Sequence, residues 1–303
     1  MAIGRFAPTP SADLHLGNLR TGLLAWLFAR STGDRFVLRV EDLETRPSSA
    51  AVAARQVADL AAIGLDWDGP VLHQSTRRAR HEEVLAQLVD AGLTYPCYCT
   101  RREIREAASA PHAPNGAYPG TCRDLSDAER AARAAEGRPA ALRLRSDGRP
   151  VTAHDRLHGE VTGVVDDIVL RRNDGVPAYH LAVVVDDHDQ GVQEVVRGDD
   201  LLAATPSQAH LCDLLGFERP VWAHVPLVLG PDGARLAKRH GDVTLAQLTA
   251  AGRTPDEVRS LLAASLGLAE AGEPVGLDDL LARFDPAALP REPWVLDPAH
   301  VAV

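Results

Sequence analysis

The stretch that decides the fold is Arg5-Phe6-Ala7-Pro8-Thr9-Pro10-Ser11-Ala12-Asp13-Leu14-His15-Leu16-Gly17-Asn18. The apolar run from Ile3 to Phe6 predicts a strand, and two prolines then hold the chain in an extended turn. From about Asn18 to Arg30, apolar residues recur at helical spacing and predict a long helix. Its N-terminus offers free N–H groups and a positive dipole end, so the unit suits a phosphate. Gly17 would let a base or ribose lie close to the backbone.

The remaining chain alternates predicted strands and helices. Residues 36–40 predict a buried parallel strand ending at Glu41, and helices follow over about 48–63 and 78–91. A Pro-, Gly- and Arg-rich interval, with a charged helix near 126–136 and strands at 140–144 and 168–172, interrupts this pattern. Strands at 179–185, 194–196 and 225–229 and a helix over 206–215 are expected to complete a doubly wound α/β sheet. Small helices are predicted over 245–250, 255–266 and 277–283.

Length and composition are those of a globular protein. The chain has 303 residues, 45% hydrophobic and 24% charged, with no apolar run of membrane-spanning length and no signal peptide, so we expect a cytoplasmic protein without membrane partners. A net charge of −10 argues against a general nucleic-acid binder. It does not exclude tRNA, because a local arginine-rich face can suffice. The candidate clusters are Arg77, Arg78 and Arg80, then Arg101 and Arg102, and then Arg171 and Arg172, and the alternative for each is a solvated helix face.

A single lysine, Lys238, stands among the 32 basic residues. Arginine has replaced lysine everywhere else, so the surviving lysine is expected at a position where a guanidinium will not serve. It follows a predicted turn at residues 230–233, in the run Arg235-Leu236-Ala237-Lys238-Arg239.

Cysteine spacing indicates a metal site. Cys97, Cys99 and Cys122 supply three soft ligands for one tetrahedral zinc, against the alternative of free thiols. The fourth ligand must come from elsewhere, and His112 is the chemically ordinary candidate. Cys212 has apolar helical neighbours and is predicted to be a core residue. The run Asp186-Asp187-His188-Asp189 is interpreted as structural carboxylates at a strand end rather than a metal site.

The opening stretch resembles class I aminoacyl-tRNA synthetases. His15-Leu16-Gly17-Asn18 is similar to their HIGH motif, and residues 5–10 resemble the start of the glutamyl/glutaminyl branch. Thr9 stands where a serine is usual and Ala12 where a glycine is usual. The run around Lys238 resembles the KMSKS loop, with Lys238 matching its phosphate-contacting lysine and Ala237 replacing a serine.

The resemblance implies a Rossmann-type catalytic domain that makes an aminoacyl-adenylate from ATP, with Mg²⁺, and an acidic amino acid. His15, Gly17, Asn18 and Lys238 would serve catalysis and bind ATP. The glutamate pocket would consist of Arg5, Phe6, Ala7, Pro8, Thr9, Glu41, Tyr179 and Arg197. Arg5 or Arg197 would hold the side-chain carboxylate in bidentate geometry, and Glu41 the ammonium group.

Among these synthetases the chain looks like the short paralogues of glutamyl-tRNA synthetase. Too few residues follow Lys238 for a helical anticodon-binding region. Such paralogues activate glutamate without tRNA and transfer it to queuosine at the wobble position of tRNA(Asp). Tyr118 matches a tyrosine of these paralogues, and the resemblance therefore implies that it is the fourth zinc ligand. The expected partner is then a queuosine-bearing anticodon stem-loop, bound by a monomer.

The resemblance divides the chain into four parts. Residues 1–93 and 177–234 would form the two halves of the catalytic domain, 94–176 a zinc-containing acceptor-binding insertion, and 235–303 the KMSKS-like loop and a small helical C-terminal region. Two alternatives stay open: a minimal glutamyl-tRNA synthetase that charges a tRNA 3′ end, and a non-catalytic glutamate- or nucleotide-binding paralogue.

Overall fold

The stretch around the first strand lies at the centre of a mainly parallel sheet. The computed structural model describes residues 1–43, 49–108, 118–234, 236 and 243–297. The strands are β1 (Ile3–Phe6), β2 (Arg35–Val40), β3 (Leu72–His73), β4 (Thr94–Cys97), β5 (Ala141–Leu144), β6 (Pro150–Asp155), β7 (Gly159–Val164), β8 (Val169–Arg171), β9 (Glu194–Gly198), β10 (Val221–Val225), β11 (Val228–Leu229) and β12 (Trp294–Val295).

The helices surround this sheet. They are α1 (Leu16–Ser31), α2 (Ser49–Ala62), α3 (Arg78–Asp90), α4 (Arg101–Ala108), α5 (Asp127–Ala135), α6 (Tyr179–Asp189), α7 (Thr205–Leu215), α8 (Leu245–Ala250), α9 (Pro255–Ser265) and α10 (Leu277–Arg283). Short 3₁₀ turns cover Gln74–Arg77, Asp199–Ala204 and Pro286–Ala288. Among the described residues, no helix has the length and apolar character needed to cross a membrane.

Strand order explains where a ligand can bind. The main sheet runs β3-β2-β1-β9-β10-β6-β7, with every pair parallel except β6 and β7. The chain passes from β1 to β2 on one side and returns beside β1 only at β9. This reversal of strand order lies between β1 and β9, and such a point opens a crevice at the carboxyl ends of the strands. The predicted doubly wound α/β class is confirmed.

Helix α1 is the core of the molecule. Its buried side chains include Leu19, Leu23 and Leu27, and they share one hydrophobic cluster with Leu262 of α9 and Leu280 of α10. The C-terminal helices therefore pack on the helix that follows the first turn. Burial of apolar surface at about 25 cal/mol per Å² makes this cluster a main source of stability.

The sequence prediction is wrong for residues 179–185. They begin helix α6, not a strand, and Leu181 to Val185 are all buried between the sheet and its neighbours. A helix that is apolar on every side lacks the helical periodicity that identifies an amphipathic one, and its β-branched residues imitate a strand. Consequently Tyr179 lies at a helix start, and the acidic run at 186–189 ends a helix rather than a strand.

Two further elements differ from prediction. The expected strand 225–229 is divided into β10 and β11, because Pro226 lacks the N–H that a continuous ladder needs. Strands β6 and β7 were not predicted, and they extend the main sheet although they lie within the interval 94–176. The other strands described in that interval form a separate antiparallel sheet in the order β4-β5-β8.

Candidate active site

The turn after β1 is held by hydrogen bonds from two neighbouring elements. The buried Gln56 amide of α2 donates to the carbonyl oxygens of Thr9 (3.1 Å) and Ala12 (2.7 Å). The Glu41 N–H donates to the Pro8 carbonyl at 2.9 Å. The turn is thus fixed from outside, so Ala12 is accommodated where the related motif has glycine.

His15 is the N-cap of α1. Its Nδ1 accepts hydrogen bonds from the N–H groups of Gly17 (3.1 Å) and Asn18 (3.4 Å), while the Asn18 amide oxygen accepts from the His15 N–H (3.3 Å). These two helix N–H groups are therefore already used, contrary to the expectation that they are open to a phosphate. With Nδ1 as acceptor, the neutral ring carries its proton on Nε2, which can donate to a phosphate oxygen.

Gly17 is required by the same cap. A Cβ at this position would lie 2.9 Å from Cε1 and 3.0 Å from Nδ1 of the His15 ring. Any side chain would displace the imidazole from the first turn of the helix. The reason for glycine seen here is the approach of His15, which is additional to the approach of a base or ribose expected from the sequence.

A cavity of about 550 Å³ opens at the carboxyl ends of β1, β2 and β9. It brings together every predicted glutamate- and ATP-site residue that the structure describes. These are Arg5, Phe6, Ala7, Pro8, Thr9, His15, Gly17, Asn18, Glu41, Tyr179 and Arg197. Lys238 lies outside the described residues, as do Arg235, Ala237 and Arg239.

The arginines of the first two strands are neutralised by one aspartate. Arg5 donates to both oxygens of Asp187 from Nε (3.2 Å) and Nη2 (3.3 Å), and Arg39 donates to Asp187 at 2.7 Å. All three side chains are buried. Burial alone would raise the pKa of Asp187, but the two guanidinium groups lower it below its ordinary value.

Glu41 differs from Asp187 although both face the same arginines. Its carboxylate is 3.4 Å from Arg39, and 9% of its side chain is exposed. Burial raises the pKa of Glu41 against the attraction of Arg39 and Arg5. An acid in this condition gains most from a new cation, so Glu41 is suited to bind an ammonium group at the cavity wall.

Arg197 has a different set of partners. Its guanidinium donates to Gln208 Oε1 (2.7 Å), His224 Nε2 (2.8 Å) and Thr205 Oγ1 (3.0 Å), and at 3.4 Å to the Tyr179 hydroxyl and the Leu201 carbonyl. Within the described part of the chain, no carboxylate contacts it. Burial lowers the pKa of Arg197, because its charge lacks direct compensation.

The chain on either side of Lys238 is attached to this cavity. The Leu236 N–H donates to the carbonyl of Val228, a lining residue, at 3.2 Å. Beyond the loop, the Val243 carbonyl accepts from the Leu16 N–H at 3.0 Å, and Thr244 forms a bridge with His15. The segment that carries Lys238 thus begins beside the cavity and ends at the first turn of α1.

The three predicted cysteine ligands form a cluster at β4. The sulfur atoms of Cys97, Cys99 and Cys122 lie within 4.8 Å of one another. The Tyr118 hydroxyl oxygen is 3.3 Å from Cys97 Sγ and 3.6 Å from Cys99 Sγ, and it accepts from the Cys122 N–H at 2.9 Å. Tetrahedral zinc with thiolate and oxygen ligands separates its ligand atoms by about 3.5 Å, so these four groups fit zinc. His112 lies outside the described residues.

An arginine accompanies the cluster. The Arg143 guanidinium stacks 3.7 Å from the centre of the Tyr118 ring and is buried beside Cys97. Burial would raise the pKa of the Cys97 thiol, but hydrogen bonds from Tyr118 and Arg143 lower it. Cys212 is buried in an apolar cluster, as predicted, and burial raises its pKa to about 12.

Comparisons with known proteins agree with this geometry. A family model described as the catalytic domain of class I tRNA synthetases (E and Q) matches residues 2–288. The chain belongs to this class I synthetase family. Its relatives include a protein of Nocardia farcinica named glutamyl-Q tRNA(Asp) synthetase, 64% identical over 97% of this chain and 92% of that one.

Other relatives are named as glutamate–tRNA ligases. One from Beijerinckia indica is 40% identical, with 97% of this chain but only 63% of that protein covered. Among solved structures, a glutamate tRNA ligase from Elizabethkingia meningosepticum in complex with its amino acid has a TM-score of 0.82 at 27% identity. That match covers 99% of this chain and 68% of the other. The class I synthetase fold is therefore established.

A second opening of about 770 Å³ adjoins the synthetase cavity. Thr9, Glu41 and Tyr179 line both spaces, so they form the passage between them. The far wall carries Cys97, Cys99 and four arginines, namely Arg101, Arg138, Arg143 and Arg172. This groove, the second opening, runs from Thr9, Glu41 and Tyr179 to the cysteine cluster.

The arginine cluster at the start of α3, Arg77, Arg78 and Arg80, forms its contacts within the protein instead. Arg77 and Arg80 pair with Asp189, Arg77 also with Asp186, and Arg78 donates to the Leu43 carbonyl. Asp186 additionally accepts from Gln74 and pairs with His81, both buried. The acidic run is thus the set of structural carboxylates that was predicted, although it lies on a helix.

Several residues of the site were not identified from the sequence. The sequence indicates Asp187 only as a structural acid, and it gives no prediction for Thr205, Gln208 or His224. Each acts on an arginine from another element, and Asp187 is 182 residues from Arg5. The available signal was a polar residue within an apolar strand, such as His224 in Val221–Val225.

Proposed function

We propose that this synthetase activates glutamate with ATP in the absence of tRNA and transfers it to queuosine at the wobble position of tRNA(Asp). The observation that carries the proposal is that one cavity is lined both by Arg197, whose partners among the described residues are neutral, and by Glu41, whose carboxylate is poorly compensated. A cavity with one spare cation and one spare anion complements an amino acid with an additional carboxylate. The name of the Nocardia farcinica relative supports the same activity.

The roles follow from the partners of each group. Arg197 binds the side-chain carboxylate, because Arg5 is already occupied by Asp187 and instead completes the cavity wall. Glu41 accepts from the α-ammonium group, and Thr9, Tyr179 and the chain at Phe6, Ala7 and Pro8 enclose the substrate.

Adenylate formation needs charge stabilisation rather than covalent help. The α-carboxylate oxygen of glutamate attacks the α-phosphorus of ATP, and pyrophosphate leaves with its Mg²⁺. The neutral His15 ring donates from Nε2 to a phosphate oxygen, with Gly17 and Asn18 holding the ring, and Lys238 supplies a positive charge. A hydroxyl of the queuosine cyclopentene diol then attacks the activated carbonyl, and AMP leaves.

Zinc is assigned a structural role in this proposal. Cys97, Cys99, Cys122 and Tyr118 would hold one ion and connect β4 to the turn at residues 118–122. His112 remains the competing fourth ligand. The ion would keep one wall of the groove in place, since Cys97 and Cys99 line it.

The groove is the proposed path of the acceptor. An anticodon loop can splay its wobble base outward, and the arginines of the insertion, residues 94–176, can contact its phosphates. The cyclopentene diol would enter past Thr9 and Tyr179. Residues 1–93 and 177–234 then act as the two catalytic halves, and 235–303 as loop and helical support.

The deciding experiment uses two synthetic anticodon stem-loops of tRNA(Asp), one with queuosine and one with guanosine. Because neither has a 3′ CCA end, labelled glutamate can appear only on the modified base. We expect label on the queuosine stem-loop alone, and loss of transfer as salt rises. Label on the 3′ adenosine of tRNA(Glu), with none on the stem-loop, would favour a minimal glutamyl-tRNA synthetase. Absence of glutamate-dependent pyrophosphate exchange would favour the non-catalytic paralogue.

A further inference from the structure

A buried line of three side chains lies behind the cavity. His224 is fully buried on β10, where it is paired in register with Arg197 of β9. Its Nδ1 is 2.6 Å from Asp155 Oδ2, and its Nε2 accepts from Arg197 Nε at 2.8 Å. Asp155 ends β6, the next strand of the sheet. Three adjacent parallel strands thus contribute one residue each.

The hydrogen bonds define the proton position. A guanidinium can only donate, so Nε2 of His224 must be the acceptor and the proton must lie on Nδ1. That proton is donated to Asp155, whose other oxygen accepts from the N–H groups of Leu157 (2.8 Å) and His158 (2.9 Å). Burial opposes ionisation of Asp155, yet these donors hold its pKa below the ordinary value. The line is therefore carboxylate, neutral imidazole, guanidinium.

A neutral imidazole can orient a guanidinium without cancelling its charge, which a carboxylate cannot do. Asp187 fixes Arg5 and at the same time cancels its charge. At Arg197 the group that fixes the guanidinium is the neutral ring of His224, and the anion, Asp155, lies on the far side of that ring. Orientation of the guanidinium is thereby separated from neutralisation, so that its charge remains available to a substrate carboxylate.

We propose that His224 is a positioning residue for glutamate recognition, which holds the Arg197 guanidinium through Nε2 and is itself aligned by Asp155. This inference rests on the proposed role of Arg197 in binding glutamate. Thr205 and Gln208 hold the two terminal nitrogens of the same guanidinium, and His224 alone among the described residues contacts Nε. Loss of that contact lets the group rotate away from the substrate.

Two amide substitutions distinguish the roles of the two ring nitrogens of His224. In His224→Gln, the amide reaches the Nε2 position, so an acceptor for Arg197 is kept and the Asp155 contact is lost. In His224→Asn, the amide occupies the Nδ1 position, so the Asp155 contact is kept and the acceptor is lost. We expect KM for glutamate in tRNA-independent pyrophosphate exchange to rise about tenfold or more in the Asn variant, because a hydrogen bond to a charged group is removed.

The Gln variant is expected to stay within about threefold of the unsubstituted protein, and KM for ATP should be unchanged in both. Thermal unfolding checks that each variant is folded, and calorimetry at 25 °C measures its affinity for glutamate. Equal KM increases in both variants, or no increase in the Asn variant, would overturn the positioning role. If the Asn variant does not fold, a Gln variant with strongly weakened glutamate binding overturns it, and one with near-normal binding supports it. Lack of exchange by the unsubstituted protein would instead refute the proposed function.

Discussion

The two halves of the main sheet differ in whether a buried arginine has a charged partner. In the half formed by β1 and β2, Arg5 and Arg39 share the carboxylate of Asp187, so both guanidinium groups have a charged partner. In the half formed by β9 and β10, Arg197 is equally buried, but its partners among the described residues are an imidazole, an amide oxygen, two hydroxyl oxygens and a carbonyl oxygen. The first arrangement builds the cavity wall, whereas the second leaves a charge for the ligand.

This difference predicts which substitutions affect folding and which affect binding. Removing one member of a compensated buried pair leaves the other charge stranded, at a cost to stability of about 3–5 kcal/mol. Removing an uncompensated charge takes away a desolvation penalty and leaves neutral groups behind. Stability should therefore respond at Arg5, and substrate recognition at Arg197.

The largest effect is expected for Arg197→Gln. We predict a decrease in kcat/KM for glutamate on the order of a thousandfold, since a buried charge pair with the substrate is lost. The free energy of unfolding should change little. The measurements are glutamate-dependent pyrophosphate exchange and unfolding in urea.

Arg5→Gln is the matched substitution in the other half. It leaves Arg39 to compensate both Asp187 and Glu41, so one buried negative charge becomes uncompensated and the free energy of unfolding should fall by about 3–5 kcal/mol. If Arg197→Gln destabilises the protein as strongly as Arg5→Gln does, the distinction between the two halves is wrong.

The sequence allowed one side of this comparison to be predicted better than the other. The strand Ile3–Phe6, the turn and the helix after it are local, and their residues line the cavity as expected. The networks around the arginines are not local, because Asp187 and His224 come from distant elements. Their discovery needs the strand order, and α6 was even assigned to the wrong type because Leu181 to Val185 are apolar on all sides.

The next effect in size concerns Lys238, in the segment that follows β11. Lys238→Ala should lower pyrophosphate exchange by on the order of a hundredfold, as expected when a cation at the phosphates is lost. Lys238→Arg should also be impaired, because a planar guanidinium does not replace a compact ammonium. A fully active arginine variant would contradict the interpretation of this single lysine, with Arg239→Lys as the neighbouring control.

The cysteine cluster extends the comparison to a fourth buried arginine. Arg143 stacks on Tyr118, beside ligands that become anionic when zinc binds. The purified protein should contain about one zinc per chain, and Tyr118→Phe should weaken zinc by on the order of tenfold or more in competition with a chelator. Tyr98→Phe, one residue from Cys97, is the control. Protein prepared without chelator that contains no zinc would refute the site, and unchanged affinity in Tyr118→Phe would exclude this tyrosine as the ligand.

The smallest predicted effect is a proton released by Glu41 on substrate binding. Burial raises the pKa of Glu41 in the unliganded protein, so this carboxyl keeps its proton to a higher pH than an ordinary glutamic acid does. An arriving ammonium group stabilises the carboxylate and lowers this pKa, so binding must expel the proton.

The direction of the pH dependence of glutamate binding follows from this. KM for glutamate should rise as the pH falls through the raised pKa of Glu41, with at most one proton released per glutamate, and it should be constant at higher pH. Calorimetry over a series of pH values, each in two buffers of different ionisation enthalpy, measures the proton directly. Glu41→Gln cannot titrate, so its binding should be weaker but should release no proton at any of these pH values. Equal proton release by the Gln variant would show that another group titrates, and the assignment of Glu41 to the ammonium would then lose its support. Asp187, which two arginines keep ionised, should contribute nothing in this range because its pKa is already low.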